Sequence, residues 1–311
     1  MTADLLANDA NLPGRDAVLG PQPRMRRLGN GTLQLAAPAK INLNLLVGPR
    51  RPDGYHPVDS LVAKVTLHDR LLLTPRDDGR ITLRCTGTDC GPDADNLALR
   101  AAHLLAEGRP APGASIELAK HIPPAAGLGG GSSDAAAVLA GLNELWNLHL
   151  PADALALLAA NLGSDVPLFL GPPASRITGR GEKIAAVPLH PFWAVLVLSD
   201  FPCPTAEVYR AFDQLPYQDQ RQLDPSILAN PPSRWRARLS NQLLEAACQV
   251  CPPLRATHQR LCEALPVPVA LTGSGSAMFA LCDNLMEAQK VHAAVPPDLR
   301  TACRIVVGND W

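Results

Sequence analysis

The chain has 311 residues, of which 47% are hydrophobic and 18% are charged, and its formal net charge at pH 7 is −1. These values are typical of a globular protein with two domains, each large enough for its own hydrophobic core. The near-zero charge argues against nucleic acid as a partner, and the lack of an apolar run of about 18 residues argues against a membrane span.

Residues 1–31 are expected to be an irregular leader, because prolines and glycines recur there without hydrophobic periodicity. Translation from Met25 would omit most of this segment. The segment lacks the basic and apolar stretches of a secretory signal, and its acidic residues Asp4, Asp9 and Asp16 are atypical of an organellar address. We therefore expect a cytoplasmic protein.

Secondary structure in the first half follows from hydrophobic patterning. Alternating apolar residues predict strands at 32–47, 61–73, 81–85 and 115–118. Pro38 cannot donate a ladder hydrogen bond, so a bulge or loop is expected there. The clearest helix follows a glycine cluster, since apolar residues from Ala135 to Trp146 share one helical face. Further helices are predicted at 96–107, capped by Asp95, and at 152–162.

The second half is expected to begin with a domain junction at 172–191, which is rich in proline and glycine. Residues 217–235 are polar and are predicted to form a surface excursion. Strands are predicted at 193–198, 267–271, 277–282 and 303–307, and helices at 239–250, 254–265 and 285–294.

Eight cysteines are scattered along the chain, and only Cys248 and Cys251 have C-x-x-C spacing. A zinc site would need further ligands, with Cys262 and His258 as the candidates. Because no second C-x-x-C and no histidine pair occurs, we interpret both cysteines as ordinary reduced helix residues.

The strongest functional signal is the segment Pro123-Pro124-Ala125-Ala126-Gly127-Leu128-Gly129-Gly130-Gly131-Ser132-Ser133, called the glycine loop below. Glycines let backbone N–H groups converge without interference from a Cβ atom. The following helix adds unpaired N–H groups and the positive end of its dipole. The segment is therefore predicted to bind the phosphates of a nucleotide.

Two familiar nucleotide motifs do not fit the glycine loop. A Walker A loop ends in Gly-Lys-Ser/Thr, and this segment has no lysine. A dinucleotide fingerprint needs a third glycine where Ser132 stands and an acidic residue about 20 positions later. A plain turn capped by serine is the simpler alternative, but four glycines in one turn carry a large entropic penalty on folding.

With Asp134-Ala135-Ala136 after it, the glycine loop resembles the phosphate-binding motif of the galactokinase, homoserine kinase, mevalonate kinase and phosphomevalonate kinase (GHMP) superfamily. Residues 38–43 resemble its N-terminal motif and residues 271–279 its C-terminal glycine motif, in the same order. Residues 53–56, 162–167, 179–182 and 204–209 resemble the branch that acts on a cytidyl diphosphate sugar alcohol. Gln242 departs from this branch, which usually has aspartate there.

The resemblance implies an α+β protein with the two-domain GHMP-kinase fold. Residues 32–180 would form an N-terminal ATP-binding domain and residues 181–311 a C-terminal ferredoxin-like domain, with a cleft between them. The cofactors would be ATP and Mg²⁺, and the metal would be bound mainly through phosphates and water, with no protein ligand assigned.

Lys40 and Asp165 are the catalytic residues that the resemblance implies. By position alone, Asp165 is a turn aspartate and Lys40 a lysine at a strand edge. The resemblance makes Asp165 the base that accepts the hydroxyl proton and Lys40 the cation that holds carboxylate and hydroxyl in register.

The resemblance also implies binding residues for both substrates. Tyr55, His56 and Tyr209 would recognise cytosine by stacking and edge hydrogen bonds, although each alone is also compatible with a core or turn role. The remaining residues are Asn42, Thr205, Gly273 and Ser274 for the substrate, and Asn96 and Lys120 for ATP.

Two other functions stay open at this point. A sister kinase for homoserine or a mevalonate would share the three motifs, but it has no use for a nucleobase-binding segment at 53–56. A nucleotide-binding protein without catalysis would not require both Lys40 and Asp165.

Overall fold

The computed structural model describes residues 25–87, 91–108, 112–199, 201–220 and 222–309. The strands in these ranges are β1 (Met25–Arg27), β2 (Leu33–Val47), β3 (Val58–Pro75), β4 (Ile81–Gly87), β5 (Ala114–Lys120), β6 (Ala174–Gly179), β7 (Lys183–Ala186), β8 (Phe192–Val197), β9 (Val269–Leu271), β10 (Met278–Cys282) and β11 (Cys303–Gly308). The α-helices are α1 (Leu97–Ala106), α2 (Gly130–Leu145), α3 (Ala152–Leu162), α4 (Val166–Leu170), α5 (Thr205–Phe212), α6 (Leu244–Val250), α7 (Pro252–Ala264), α8 (Leu285–Ala294) and α9 (Pro297–Arg300). None of the described helices combines the length and apolar character needed to cross a membrane.

Strand β3 organises the sheet because it is long and almost entirely buried. One edge pairs with β2, and the register shifts after Pro38, which confirms the predicted bulge. The other edge meets β6 through residues 58–63, β11 at Val65 and β5 through residues 70–75. The two halves of the chain therefore share one continuous sheet.

Helix α2 fixes the position of the glycine loop against this sheet. Its buried face includes Val138, Leu139 and Leu142, which belong to the N-terminal hydrophobic core. Gly141 lets β2 approach closely, since a Cβ there would lie 2.9 Å from Leu35 Cδ2. A larger residue at 141 would push α2, and with it the glycine loop, away from the sheet.

The C-terminal part has the ferredoxin-like topology that the resemblance implied. Its strands lie in the order β11-β8-β10-β9, and each neighbouring pair is antiparallel. Helices α5 to α7 connect β8 to β9, and α8 and α9 connect β10 to β11. This is the β-α-β-β-α-β arrangement, with a separate hydrophobic core between its helices and its sheet.

Three predicted elements differ from the structure. The irregular leader predicted up to residue 31 is wrong at residues 25–27, which form β1 because they pair with β2. The predicted junction at 172–191 contains the β6–β7 hairpin, so the division between residues 180 and 181 falls inside its turn. The helix predicted from residue 239 begins only at Leu244, because the side chain of Asn241 binds the carbonyl oxygens of Leu271 and Gly273.

Candidate active site

The three sequence motifs meet at one cavity of about 480 Å³. Backbone hydrogen bonds join the glycine loop to both partners: Lys40 N donates to Leu128 O (3.0 Å) and Ala277 N donates to Ala126 O (3.1 Å). At Gly273 the approach is so close that a Cβ would lie 3.2 Å from Lys40 Nζ, and its φ of +57° is in the left-handed region.

Most of the predicted site residues line this cavity, namely Lys40, Asn42, Asn96, Lys120, residues 123–132, Asp165, Thr205, Tyr209, Gly273 and Ser274. Ser133 does not, because it is buried and lines a separate small pocket behind α2. Successive helix residues point about 100° apart, so the hydroxyl of Ser132 faces the cavity while that of Ser133 does not. Tyr55 and His56 also lie outside the lining and are described below.

The glycine loop ends in a helix terminus suited to an anion. Gly129 is the N-cap of α2 with a left-handed φ of 72°, and no side chain caps the first N–H groups. A Cβ at Gly129 would lie 2.8 Å from Phe169 Cζ and 3.3 Å from Lys40 Cγ. The backbone therefore approaches the cavity as only glycine allows, with N–H groups free for phosphate oxygens.

Lys40 is buried in β2 and held by a polar chain. Its Nζ donates to Asn42 Oδ1 (2.6 Å), and Asn42 N donates to Thr272 Oγ1 (3.0 Å). Burial lowers the pKa of Lys40, and the charge of Asp165 partly offsets this effect. The ammonium is thus positioned by neighbours on two motifs and depends electrostatically on Asp165.

Asp165 occupies the N-cap position of α4, and its side chain does not cap that helix. Among the described residues, no hydrogen bond engages its carboxylate. Lys64 fixes the backbone of this region, since its Nζ donates to Phe169 O (3.1 Å) and Gly171 O (2.7 Å). The result is a carboxylate on a rigid element that remains available to accept a proton from a ligand.

Lys120 is enclosed by two buried carboxylates at the edge of the cavity. Its Nζ donates to Asp134 Oδ2 (2.7 Å) and to Asp69 Oδ2, while Asp69 Oδ1 accepts from Ile122 N (2.8 Å). Burial alone would lower the pKa of Lys120, but the two carboxylates raise it above its usual value. Burial and the charge of Asp69 raise the pKa of Asp134 well above its usual value. This network ties both ends of the glycine loop to β3.

Asn96 lines the same side of the cavity and caps α1. Its Oδ1 accepts a hydrogen bond from Ala98 N (3.0 Å), so Asn96 rather than Asp95 is the cap. Asn96 and Lys120 therefore each carry a structural role beside the nucleotide contact that the sequence predicted.

The His56 ring is fully engaged inside the protein. Its Nδ1 lies 2.9 Å from Gly48 O and its Nε2 lies 3.1 Å from Asp213 Oδ1. The ring packs against Tyr209, with ring centroids 5.4 Å apart, and against Phe212. Because both nitrogens already have partners, the ring supports Tyr209, which lines the cavity, and edge hydrogen bonds from His56 to a base stay a prediction.

Several residues important to the site were not predicted. Thr272 accepts from Asn42 N and donates to Gly127 O (3.3 Å), so it links all three motifs. Arg180 lines the cavity, and its guanidinium carbon lies 3.9 Å from the centre of the Tyr55 ring. Thr272 lies in the motif at 271–279 and Arg180 in the segment at 179–182, both of which support the family resemblance. Their position in these segments could therefore have identified them as site residues.

The cysteine pair of the sequence takes no part in this site. Cys248 and Cys251 have free thiols, as expected. Across the described ranges, no three histidine, cysteine or acidic residues are grouped as a metal site requires.

The fold and the cavity define a class of protein. A family model described as the GHMP kinases N terminal domain matches residues 96–171, which hold the glycine loop and Asp165. The fold is similar to that of homoserine kinase from Cytophaga hutchinsonii, with a TM-score of 0.66 at 17% identity over 91% of this chain and 96% of that chain. The chain is a GHMP-type kinase by fold and motif.

More specific similarity comes from one branch of this class. The crystal structure of a 4-(cytidine 5'-diphospho)-2C-methyl-D-erythritol kinase matches with a TM-score of 0.71 and 37% identity, covering 88% of this chain and 98% of that chain. The 4-diphosphocytidyl-2-C-methyl-D-erythritol kinase of Pelotomaculum thermopropionicum is 41% identical over 83% of this chain and 91% of its own length. That of Bacillus subtilis is 37% identical over 82% and 90%. The chain belongs to the 4-diphosphocytidyl-2-C-methyl-D-erythritol kinase family.

Proposed function

We propose that this protein transfers the γ-phosphoryl group of ATP to the 2-hydroxyl of 4-diphosphocytidyl-2-C-methyl-D-erythritol, a step of the non-mevalonate route to isoprenoid precursors. The observation that carries this proposal is a single cavity bordered by the glycine loop, Lys40 and Asp165. Membership of the family supports the choice of substrate. We further propose a cytoplasmic location and small molecules as the only ligands.

The chain's own residues provide positioning and charge. The glycine loop would hold the ATP phosphates on the N-terminus of α2, and Asp165 would accept the proton of the attacking hydroxyl. Lys40 would keep the carboxylate and the hydroxyl in register and stabilise negative charge on the transferred group. Asn42, Thr205 and Ser274 would bind the polar groups of the acceptor, and the Thr205 and Ser274 hydroxyls already lie 2.9 Å apart.

Mg²⁺ fits the residues beside the glycine loop. The buried Asp134 Oδ1 has no hydrogen-bond partner among the described residues, so it is an oxygen available to a ligand. A cation brought by ATP would be bound mainly by phosphate oxygens and water, with Ser132 and Asp134 as candidate protein oxygens. When bound, Mg²⁺ would neutralise charge on the phosphates.

The proposed function is tested by a coupled ADP assay with three acceptors. We expect turnover with the cytidyl substrate and none with homoserine or mevalonate. Faster turnover with either of the latter would make the protein a sister kinase. Absence of acceptor-dependent ADP release with all three would favour a nucleotide-binding protein without catalysis.

Replacement of His56 by alanine is expected to raise KM for the cytidyl substrate by about 10- to 100-fold, the range of one lost base-stacking contact. The ring supports Tyr209 and joins the 48–56 turn to α5 through Asp213, so its removal loosens the expected base site. The KM for ATP should not change, because the glycine loop lines the cavity, whereas His56 lies outside the lining. Steady-state kinetics with each substrate varied in turn provides the measurement.

The matched control is His190→Ala, because His190 lies outside the cavity and its ring has a single hydrogen-bond partner in the described ranges, the neighbouring Pro191 O. That variant should keep both KM values. An equal rise of the two KM values in His56→Ala would contradict a role in base recognition.

A further inference from the structure

Among the described residues, three positively charged side chains line the cavity. Lys120 is neutralised by Asp69 and Asp134, and Lys40 lies beside Asp165 at the expected point of transfer. The Arg180 guanidinium makes no ion pair within the described part of the chain. Glu182 is close in sequence, but its carboxylate accepts from the backbone N–H of Arg180. Arg180 is thus a cation at the cavity that has no ion-pair partner within contact distance in the described part of the chain, although the charge of the nearby Glu182 acts on it.

Arg180 is held in a defined place by the turn between β6 and β7. Gly179 and Gly181, on either side, have φ values of 76° and 111°, which only glycine adopts without strain. A Cβ at Gly181 would lie 3.6 Å from Ser164 O, so this turn packs against the loop that carries Asp165. The position of Arg180 is therefore tied to that of the expected catalytic base.

The opposite side of Arg180 faces the expected base site. Its guanidinium carbon lies 3.9 Å from the centre of the Tyr55 ring, and Tyr55 is 51% exposed. A cation over an exposed aromatic face gains only a small free energy, too little to prevent rearrangement when a ligand arrives. Arg180 thus lies between the residue expected to stack on cytosine and the one expected to activate the hydroxyl.

A nucleoside diphosphate linked to a polyol has the same order of groups: base, diphosphate, then alcohol. With cytosine at Tyr55 and the hydroxyl at Asp165, the diphosphate lies in the space beside Arg180. A guanidinium presents a planar fork that matches phosphate oxygens in a bidentate manner. We propose that Arg180 binds the diphosphate of the acceptor and thereby selects nucleoside diphosphate conjugates over simple alcohols. This inference rests on the proposed function.

The test compares CDP with cytidine as ligands of the full chain. In Arg180→Gln, the Kd for CDP measured by calorimetry should rise about 10- to 100-fold, as expected for a lost charge-assisted hydrogen bond, while the Kd for cytidine should not change. The KM for the cytidyl substrate should rise in parallel and the KM for ATP should not. Arg180→Lys should recover part of the CDP affinity, because it keeps the charge without the planar fork.

Lys183→Gln is the matched control, since Lys183 is an exposed cation on β7 of the same hairpin and lies outside the cavity. It should leave both Kd values as in the wild type. Equal weakening of CDP and cytidine by Arg180→Gln would overturn the inference, because Arg180 would then only support Tyr55. Unchanged CDP affinity would overturn it as well.

These outcomes are separable from failure of the proposed function. An inactive wild-type protein that binds CDP through Arg180 would contradict the proposed reaction but not the diphosphate contact. An active wild-type protein whose CDP affinity does not depend on Arg180 would contradict the diphosphate contact alone.

Discussion

Replacement of Asp165 by asparagine is expected to lower kcat by about 10²- to 10⁴-fold, the usual contribution of a general base. Asparagine has nearly the shape of aspartate, so the start of α4 keeps its conformation, but a neutral amide cannot accept the hydroxyl proton. Lys40 would also lose the charge that offsets the effect of burial on its pKa. The affinity for ATP should not change, because the glycine loop binds the phosphates.

The measurement combines steady-state ADP release with calorimetric titration of ATP. Asp153→Asn is the matched control, since Asp153 lies exposed in the first turn of α3, outside the cavity, and should retain the wild-type kcat. A kcat near that of the wild type in Asp165→Asn would remove Asp165 from the role of base. The pair of variants separates loss of a carboxylate at the site from loss of one elsewhere.

Features of the site that depend on neighbours along the chain were predictable from the sequence. The glycine loop, the apolar face of α2 and the bulge after Pro38 each follow from local rules of conformation. The start of α2 shows the limit of such rules. The apolar pattern begins at Ala135, whereas the helix begins at Gly130, because glycine is a poor helix former and conceals the boundary. Ser133 therefore lies in the first turn of α2, where its N–H donates to Gly129 O (2.9 Å), and its hydroxyl turns away from the cavity.

Features that depend on residues far apart in sequence were not predictable. The identity of Asn241 gives no sign that it will bind the carbonyl oxygens of Leu271 and Gly273 and so keep residues 239–243 from forming helix. The two nitrogens of His56 suggested contacts to a base, but Gly48 and Asp213 occupy them. A sequence shows which donors exist, whereas the tertiary fold decides which acceptors they meet.

Prolines and glycines also concealed real strands. Residues 172–191 contain enough of both to indicate a junction, and yet β6 and β7 form there. The tertiary context supplies the reason, because β3 offers an unpaired edge at residues 58–63 that β6 completes. Pairing with an existing buried strand outweighs a weak local preference.

The buried network around Lys120 leads to the second large expected effect. Lys120→Met should lower the free energy of unfolding by about 3–5 kcal/mol, because removing one partner leaves buried carboxylates without compensation. Methionine fills a similar volume, so the loss would be electrostatic rather than steric. Asp69 is fully buried and Asp134 is only 2% exposed, so water cannot replace the missing ammonium. Urea denaturation of the full chain provides the measurement.

The pH dependence gives this prediction a specific sign. Burial and Asp69 already raise the pKa of Asp134 well above its usual value, and loss of Lys120 would raise it further. The folded state then holds a proton that the unfolded chain releases near its ordinary pKa of about 4. The free energy of unfolding of Lys120→Met therefore falls as pH rises from the unfolded-state pKa towards the folded-state pKa of Asp134. The loss of stability relative to the wild type should thus be smaller at about pH 5 than at about pH 8.

Two further variants distinguish the network from a general effect of charge. Arg27→Gln breaks the exposed pair with Glu144 and should change stability by no more than about 1 kcal/mol. Lys120→Met combined with Asp134→Leu removes one uncompensated carboxylate together with the cation, so it should recover part of the lost stability. If Lys120→Met loses no more free energy of unfolding than Arg27→Gln does, or if its loss is independent of pH, then Lys120 does not stabilise the two buried carboxylates. Because the network joins β3 to both ends of the glycine loop, the ATP affinity of Lys120→Met should fall with its stability.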